Sequence, residues 1–542
     1  MSVESPQAAG PPPPQPGLPG RPRRRIALNT AIFALATALS RIAGLGREVV
    51  QAAFFNTSPA ASAFTLAAQV PNLMSNLFSQ AALSAAFVPV FTEMLHEGRK
   101  RDAFRLASAL FWVILIVLGA MTALWMVLAG VIVPAFTGAH VPNDLAAGLS
   151  RVLFPVVLLM SLTGLLVGIL QAYDEFTIPA LAPAVWNVVI VALLVGIHPL
   201  FHGEDGVYAY AIAWLAATMV QFLIVGAALG RIDFRLTTKV NLRDPAIRQV
   251  LILFLPVTMS IGIINLDIFI NAGLGSLVSP HAPAAINDAF RIYMLPQGVF
   301  SVAVATVLFP TLSRLAVRRD TDAMRRVVAN GMRQINLLLI PSAGLLVVLA
   351  TPITRLVYQH GTFGPYSTHL VAIALFWFAF SLPFAGVNLL LTRTFFALKR
   401  PWIPTKLAAM NMVVDVIVSF ALYKPLGIQG LVIGTVAANV VMTALQLHRL
   451  RAGFSGLEGV QTLMITIRVL VASAIMAAVA WAVWMGLDSL VGRSLPGQII
   501  SVGGAVAGAC ALYGWLVLAM RIPEARQIKQ LVTSRLRPRA AG

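Results

Sequence analysis

Fourteen runs of apolar residues, each close to the roughly 20 residues that a helix needs to cross a bilayer, follow one another along most of this chain. They begin near residues 27, 61, 106, 148, 178, 207, 249, 285, 333, 367, 403, 427, 463 and 497, and the last ends near Met520. In lipid a backbone must satisfy its own polar groups, so spans of this length are helices. The predicted fold class is an all-α, polytopic membrane protein with 14 transmembrane helices.

Composition closes off the alternatives. Hydrophobic side chains make up 58% of the 542 residues and charged ones 11%, where soluble domains carry about 25% charged residues. Disordered, fibrous and soluble-enzyme classes are excluded. Cys510 stands alone, so no internal disulfide or cysteine-rich metal centre forms.

The 39 Lys and Arg against 20 Asp and Glu give a net charge of +19. In a soluble chain that balance would point to nucleic acid, but here the basic residues cluster between spans, as retention beside anionic lipid requires. Arg99, Lys100 and Arg101 follow segment 2, and Arg231, Arg235, Lys239, Arg243 and Arg248 follow segment 6. Arg314, Arg318, Arg319, Arg325 and Arg326 follow segment 8; Lys399, Arg400 and Lys406 follow segment 10; Arg449 and Arg451 follow segment 12. The intervening connectors have almost none. Both termini are therefore expected in the cytoplasm.

Residues 1–25, with Pro11 to Pro14 and a terminal Arg23-Arg24-Arg25, read as a disordered cytoplasmic tail rather than a cleaved signal peptide. An internal repeat orders the remainder. Phe87-Val88-Pro89-Val90 closes segment 2 and Leu308-Phe309-Pro310-Thr311 closes segment 8, with the prolines 221 positions apart; Ile178-Pro179 and Ile403-Pro404 enter segments 5 and 11, 225 apart. Two six-helix lobes in a pseudo-two-fold repeat follow, with a site at their interface. The predicted limits are an N-lobe over 26–230, a basic linker over 231–248, a C-lobe over 249–451, helices 13 and 14 over 452–521, and a basic tail over 522–542.

Ionisable residues at membrane depth cost about 2.5–3.5 kcal/mol on insertion scales, so they mark partners or water. Segment 1 carries Arg41 and Arg47, six residues and so about 120° apart on a helix, with Glu48 beside the second. Segment 8 carries Arg291, one turn before Pro296. Guanidinium forks facing an inter-lobe cavity suit phosphate oxygens. For Arg47 the competing reading is local pairing with Glu48. A second set, Asp267, Asn411, Asp415 and Thr435, offers hard oxygen atoms from three segments, fit for a coupling ion, Na⁺ or H⁺; structural helix–helix hydrogen bonding is the alternative. His198 and His202 are interrupted by Pro199 and do not read as a metal site. No nucleophile, base and oxyanion set can be assembled, so no enzyme is expected and no catalytic residue is assigned.

The motif Ser40-Arg41-Ile42-Ala43-Gly44-Leu45-Gly46-Arg47-Glu48, then Pro71-Asn72-Leu73, Ala86-Phe87-Val88-Pro89, Arg291, Pro296 and Gly298-Val299, resembles the MurJ/MviN family of lipid II flippases. The likeness covers nearly all of residues 27–520. It implies a fold of the multidrug/oligosaccharidyl-lipid/polysaccharide exporter superfamily and outward passage of undecaprenyl-pyrophosphate-linked peptidoglycan precursor across the bacterial inner membrane. It implies as partners lipid II, membrane lipids and cell-wall synthesis proteins, with no nucleic acid and no cofactor beyond the coupling ion. Cavity residues carried over are Arg41, Arg47, Asn72 and Arg291, and the family's Na⁺ site falls on Asp267, Asn411, Asp415 and Thr435. The chain departs from the pattern at Ser62, where many members have aspartate, and at Ser75, Asn76, Gln80 and Leu83, where they carry two arginines, a glutamate and a phenylalanine. A flippase for another polyprenyl-linked saccharide, a Na⁺- or H⁺-coupled drug antiporter of the same superfamily and a transport-inactive scaffold remain as rivals.

Overall fold

The computed structural model describes residues 23–78, 80–138, 140–173, 175, 177–232, 234, 236–237, 247–248, 250, 266–400, 402–454, 456 and 458–526. Helices account for nearly all of them, and among the described residues there is no strand. In chain order they are α1 (Arg23–Phe55), α2 (Pro59–Phe78), α3 (Gln80–His96), α4 (Lys100–Phe136), α5 (Asn143–Leu153), α6 (Pro155–Ala172), α7 (Thr177–Ile197) and α8 (Gly206–Ala228). The second half holds α9 (Leu266–Val278), α10 (Ala282–Pro296), α11 (Val302–Arg318), α12 (Thr321–Val348), α13 (Ala350–Tyr358), α14 (Pro365–Ala397), α15 (Trp402–Leu426) and α16 (Ile428–Phe454). Finally come α17 (Gly459–Val491) and α18 (Leu495–Ala519).

Eleven helical stretches among the described residues are long and apolar enough to span a bilayer. The other three predicted segments fall on α1, on α2 with α3, and on residues 249–278, of which 266–278 are described as helix. Several spans are broken in two. Phe154 and Pro155 divide α5 from α6, because proline removes a backbone donor and starts a new first turn. Pro296 leads into a π-helical turn, Gln297–Ser301, inside segment 8, where its missing donor widens the helical ladder.

The repeat is visible in which helices pack together. In the first half α2 packs on α5, α3 on α6, α6 on α8 and α7 on α8; in the second α10 and α11 pack on α14, α14 on α16 and α15 on α16. Pro179 and Pro404 both stand third in their helices, α7 and α15. The α17–α18 hairpin packs on α12 and α13 of the second lobe.

Two predicted boundaries differ. α1 takes in Arg23 to Arg25, since arginine is a good helix former and continues the helix before its apolar stretch; residues 1–22 of the forecast tail lie outside the described residues. At the other end Ile522 and Ala525 are buried among Leu337, Ile340 and Ile465, so the tail begins packed against the C-lobe. Residues 527–542 and most of the linker 231–248 lie outside the described residues.

The lobes meet at the end of the bundle away from the basic connectors, here called the far end. Thr57 Oγ1 donates to Ser367 Oγ at 2.8 Å, and His281 Nδ1 donates to the Thr57 carbonyl at 2.6 Å. Thr362 N donates to the Ala53 carbonyl at 2.8 Å, and Gly138 N to Ser276 Oγ at 2.7 Å. Ala284 N, in the first turn of α10, donates to Ser62 Oγ at 3.4 Å, so Ser62 tethers the two lobes.

Candidate functional site

α1 runs along the lobe interface, and its two arginines are held differently, as the 120° offset requires. Arg41 is exposed, and its guanidinium approaches the π turn of the opposite lobe: a Cβ on Gly298 would stand 3.1 Å from it. Arg47 is buried at 6% exposure. Its guanidinium ion-pairs with Glu48 and lies in the angle of two indoles, with Cζ 5.0 Å from the Trp186 ring centre and 5.1 Å from that of Trp214. Those rings meet edge to face at 5.3 Å, and Trp186 Nε1 donates to Thr218 Oγ1 at 3.0 Å, which fixes one wall. Tyr210 and Phe64 pack beside Trp214.

Glu48 also faces the other lobe. Arg291 Nε, on α10, is 3.6 Å from Glu48 Oε1, so a single carboxylate stands between one guanidinium of each lobe. The Arg291 side chain is 40% exposed, and neither its Nε nor that of Arg47 has a hydrogen-bond partner. Around them a small polar cavity of about 30 Å³ is lined by Glu48, Gln51, Asn72, Asn287, Tyr210 and Arg291, among others, which is room for about one water. Asn72 and Arg291 thus share a cavity; Arg47 lies behind its wall, in the aromatic clamp; Arg41 is farther along α1. Asp288, buried one turn before Arg291, adds a second carboxyl near the cluster. The side chains of Ser75, Asn76, Gln80 and Leu83 lie outside the described residues.

Three of the four oxygen residues gather in the C-lobe, and the fourth, Asn411, stands one turn before Asp415 on the same helix. Asp415, fully buried on α15, accepts from Thr435 Oγ1 at 3.2 Å and from Asn271 Nδ2 at 3.0 Å on one oxygen, and from Ser419 Oγ at 2.9 Å on the other. Asp267 on α9 lies within electrostatic reach of it. Oδ1 of Asp267 and Oδ1 of Asn411 are each buried without a hydrogen-bond partner, two unsatisfied hard acceptors on the helices that carry this cluster. Gly434 makes the approach of α16 to α15 possible, since a Cβ there would sit 2.0 Å from Ser419 Oγ and 2.8 Å from Asp415 Oδ1.

Asn271 and Ser419 were not among the forecast residues. Both stand four positions after a forecast carboxylate, Asp267 and Asp415, a spacing that places each on the same helix face. Trp186 and Trp214 carried no such signal, because an aromatic in an apolar span packs somewhere in any case. A larger, apolar cavity of about 660 Å³ lies apart from both clusters, between α12, α14, α16 and α17.

This arrangement of two helical lobes facing each other across charged groups defines a membrane transporter of the two-lobed exporter type. Its fold is shared with a solved structure of lipid II flippase MurJ in an inward closed conformation, at a TM-score of 0.75 and 21% identity, over 90% of this chain and 99% of that one. An inward-facing multidrug resistance MATE family transporter of the MOP superfamily aligns at a TM-score of 0.65 and 17% identity, over 78% and 96%. The sequence model of the family described as lipid II flippase MurJ matches residues 51–495. The lipid II flippase MurJ of Burkholderia cenocepacia is 31% identical over 73% of this chain and 78% of its own length. The probable lipid II flippase MurJ of Rhizobium meliloti is 28% identical over 88% and 91%. The chain belongs to the lipid II flippase MurJ family, a family of transporters rather than enzymes.

Proposed function

We propose that this chain flips lipid II, carrying its diphosphate-linked head group across the bacterial inner membrane while the polyprenyl tail stays in an apolar setting. The observation that carries this reading is Glu48 standing between Arg47 of one lobe and Arg291 of the other. A carboxylate held between two guanidiniums marks a place for an anion, and a diphosphate offers more oxygens to the same forks than a carboxylate does. Head-group binding displaces Glu48 from Arg291, which is the more exposed of the two arginines and the one that turns first toward a ligand. Asn72 and Asn287, lining the same cavity, supply amides for sugar hydroxyls. Arg41, against Gly298, meets the head group nearer the basic end.

With the basic connectors on the cytoplasmic side, both termini are cytoplasmic and the far-end contacts close the outward exit. The head group then enters from the cytoplasm, and rocking of the lobes requires those contacts to part. The apolar cavity between α12, α14, α16 and α17 suits the isoprenoid tail.

The oxygen set of Asp267, Asn411, Asp415 and Thr435 fits a monovalent hard cation, on the ground of its two buried, unpartnered Oδ1 atoms. A bound Na⁺ would supply the positive charge that two neighbouring carboxylates call for. Asp415 orients the set by its three accepted hydrogen bonds, and Asn271 ties α9 to α15, so occupancy of this cluster bears on the position of α9.

The test is lipid II translocation in proteoliposomes with and without a Na⁺ gradient, beside the Arg291→Ala variant. Translocation by the wild-type chain and its loss in the variant are expected. Transport of a different polyprenyl-diphosphate saccharide with none of lipid II would assign the cargo elsewhere, a result that the neutral Ser75, Asn76 and Gln80 would then account for.

A further inference from the structure

At the far end of the seam between the C-lobe and the α17–α18 hairpin lies a cavity of about 430 Å³ whose lining is polar and basic. Its size is within the range of small-molecule sites, about 300–1,000 Å³. Arg355 reaches it from α13, His369 and Thr368 from the first turn of α14, Arg493 from the turn before α18 and Gln498 from α18 itself. None of these residues belongs to the lobe interface or to the Asp415 cluster.

The charges do not cancel. Asp488 serves both arginines, at 3.4 Å from Arg493 Nε and 3.9 Å from Arg355 Nη1, so one carboxylate stands against two guanidiniums. Both separations are long for a charge-assisted hydrogen bond, which leaves the forks available to a better partner. Thr368 Oγ1 contacts the Gln359 amide at 3.0 Å and the Gly364 carbonyl at 3.1 Å, which holds that amide against the first turn of α14. Gln498 is 9% exposed; its Nε2 donates to the Arg493 carbonyl at 2.9 Å, while its Oε1 is buried and unpartnered. The cavity thus offers two planar cations, and Gln498 on its wall carries one acceptor without a partner.

We propose that this cavity binds a phosphate ester bearing a free hydroxyl, its phosphoryl oxygens on Arg355 and Arg493 and its hydroxyl on Gln498 Oε1. A phosphoglycerol group has this chemistry, whether as the head group of an anionic lipid or as free glycerol phosphate. Because the cavity is walled by the C-lobe on one side and by the hairpin on the other, its ligand pins the hairpin to the lobe. The assignment is independent of the cargo.

Native mass spectrometry of the full chain, titrated separately with dioleoylphosphatidylglycerol, dioleoylphosphatidic acid, dioleoylphosphatidylcholine and glycerol 1-phosphate, tests it. The Arg493 side chain is 70% exposed, so Arg493→Gln perturbs folding little and stands beside Arg355→Gln and the double variant. An affinity about tenfold weaker in the double variant is expected, with Arg318→Gln at the basic end unchanged. Gln498→Leu should remove the preference for phosphatidylglycerol over phosphatidic acid. Loss confined to the lipid arm identifies a membrane head group, and loss in the glycerol phosphate arm identifies a soluble ester. Equal binding by wild type and the double variant, or retention of phosphatidylcholine as strong as that of phosphatidylglycerol, overturns the proposal.

Discussion

Arg291 and Glu48 face each other across the lobe interface with 3.6 Å between Nε and Oε1, and the same carboxylate oxygen takes Arg47 from its own lobe. Removing the negative charge by Glu48→Gln leaves Arg47 buried and without a counter-ion. Breaking a buried pair from one side costs on the order of 3–5 kcal/mol. The variant should therefore melt several degrees below wild type in detergent. Arg47→Leu combined with Glu48→Leu should be less destabilised than the sum of the two single changes, because together they remove both charges. Additive losses in that cycle would separate the two residues energetically.

The indole clamp makes a distinct prediction. Arg47 touches Trp186 and Trp214 at centroid distances of 5.0 and 5.1 Å, and a desolvated cation–π contact contributes up to about 2 kcal/mol. Trp214→Leu should lower stability by about that amount plus its lost packing, and should do so less once Arg47 is already leucine. Arg47→Lys should melt below wild type, since a compact ammonium lacks the planar face that covers both rings while one nitrogen reaches Glu48.

Much of this could be read from sequence, for reasons that differ by residue. The spans and the repeat were legible because lipid demands long apolar runs, and because Pro179 and Pro404 start equivalent helices. The Asp415 cluster was legible because carboxylates at membrane depth are rare. Arg47 beside Glu48 was visible as a neighbour pair, but the third member, Arg291, reaches Glu48 only through the docking of α10 on α2. Arg333 carried no warning at all. It lies in a helix that begins among basic residues, where a charge is ordinarily solvated, and its two partners follow from later spans.

That Arg333 cluster yields a third expectation. Arg333, with its side chain 8% exposed, pairs with Glu458 at 2.9 Å and with the buried Glu524, joining α12 to the start of α17 and to the segment after α18. Arg333→Gln strands two carboxylates in a poorly hydrated place and should cost about 3–5 kcal/mol. Loosening should appear first at the C-terminal segment. Limited trypsin digestion should cut at Arg521 or Arg526 faster in Arg333→Gln than in wild type; unchanged cleavage there would detach the cluster from hairpin anchoring.

A cation at the Asp415 cluster should be detectable without transport. Na⁺, but not choline, should raise the melting temperature of the wild-type protein, since a ligand that binds only the folded state stabilises it. Asp415→Asn and Asn411→Ala should abolish that shift. Gly434→Ala should do the same with no change of ligand atoms, because its Cβ would stand 2.0 Å from Ser419 Oγ and drive α16 off α15. A Na⁺ shift that survives Asp415→Asn would remove the cluster from ion coupling.

One backbone position in the far-end seal admits only glycine without strain. Gly361 has φ +60°, in the left-handed region that costs an L residue about 1–2 kcal/mol, and a Cβ there would meet the Ala53 carbonyl at 2.5 Å. That carbonyl is the one that accepts from Thr362 N at 2.8 Å and from Thr362 Oγ1 at 3.0 Å. Gly361→Ala therefore strains the turn and pushes α1 from the loop after α13 at the same time. The relief open to the protein is to part the lobes there, which exposes Thr57, Ser367 and His281. With Cys510 replaced by alanine, a Thr57→Cys reporter, 0% exposed in the closed arrangement, should react with a membrane-impermeant maleimide several times faster when Gly361 is alanine. Equal labelling rates in the two backgrounds would mean that the loop yields without opening the interface, and that the seal is carried by contacts such as Gly138 N to Ser276 Oγ instead.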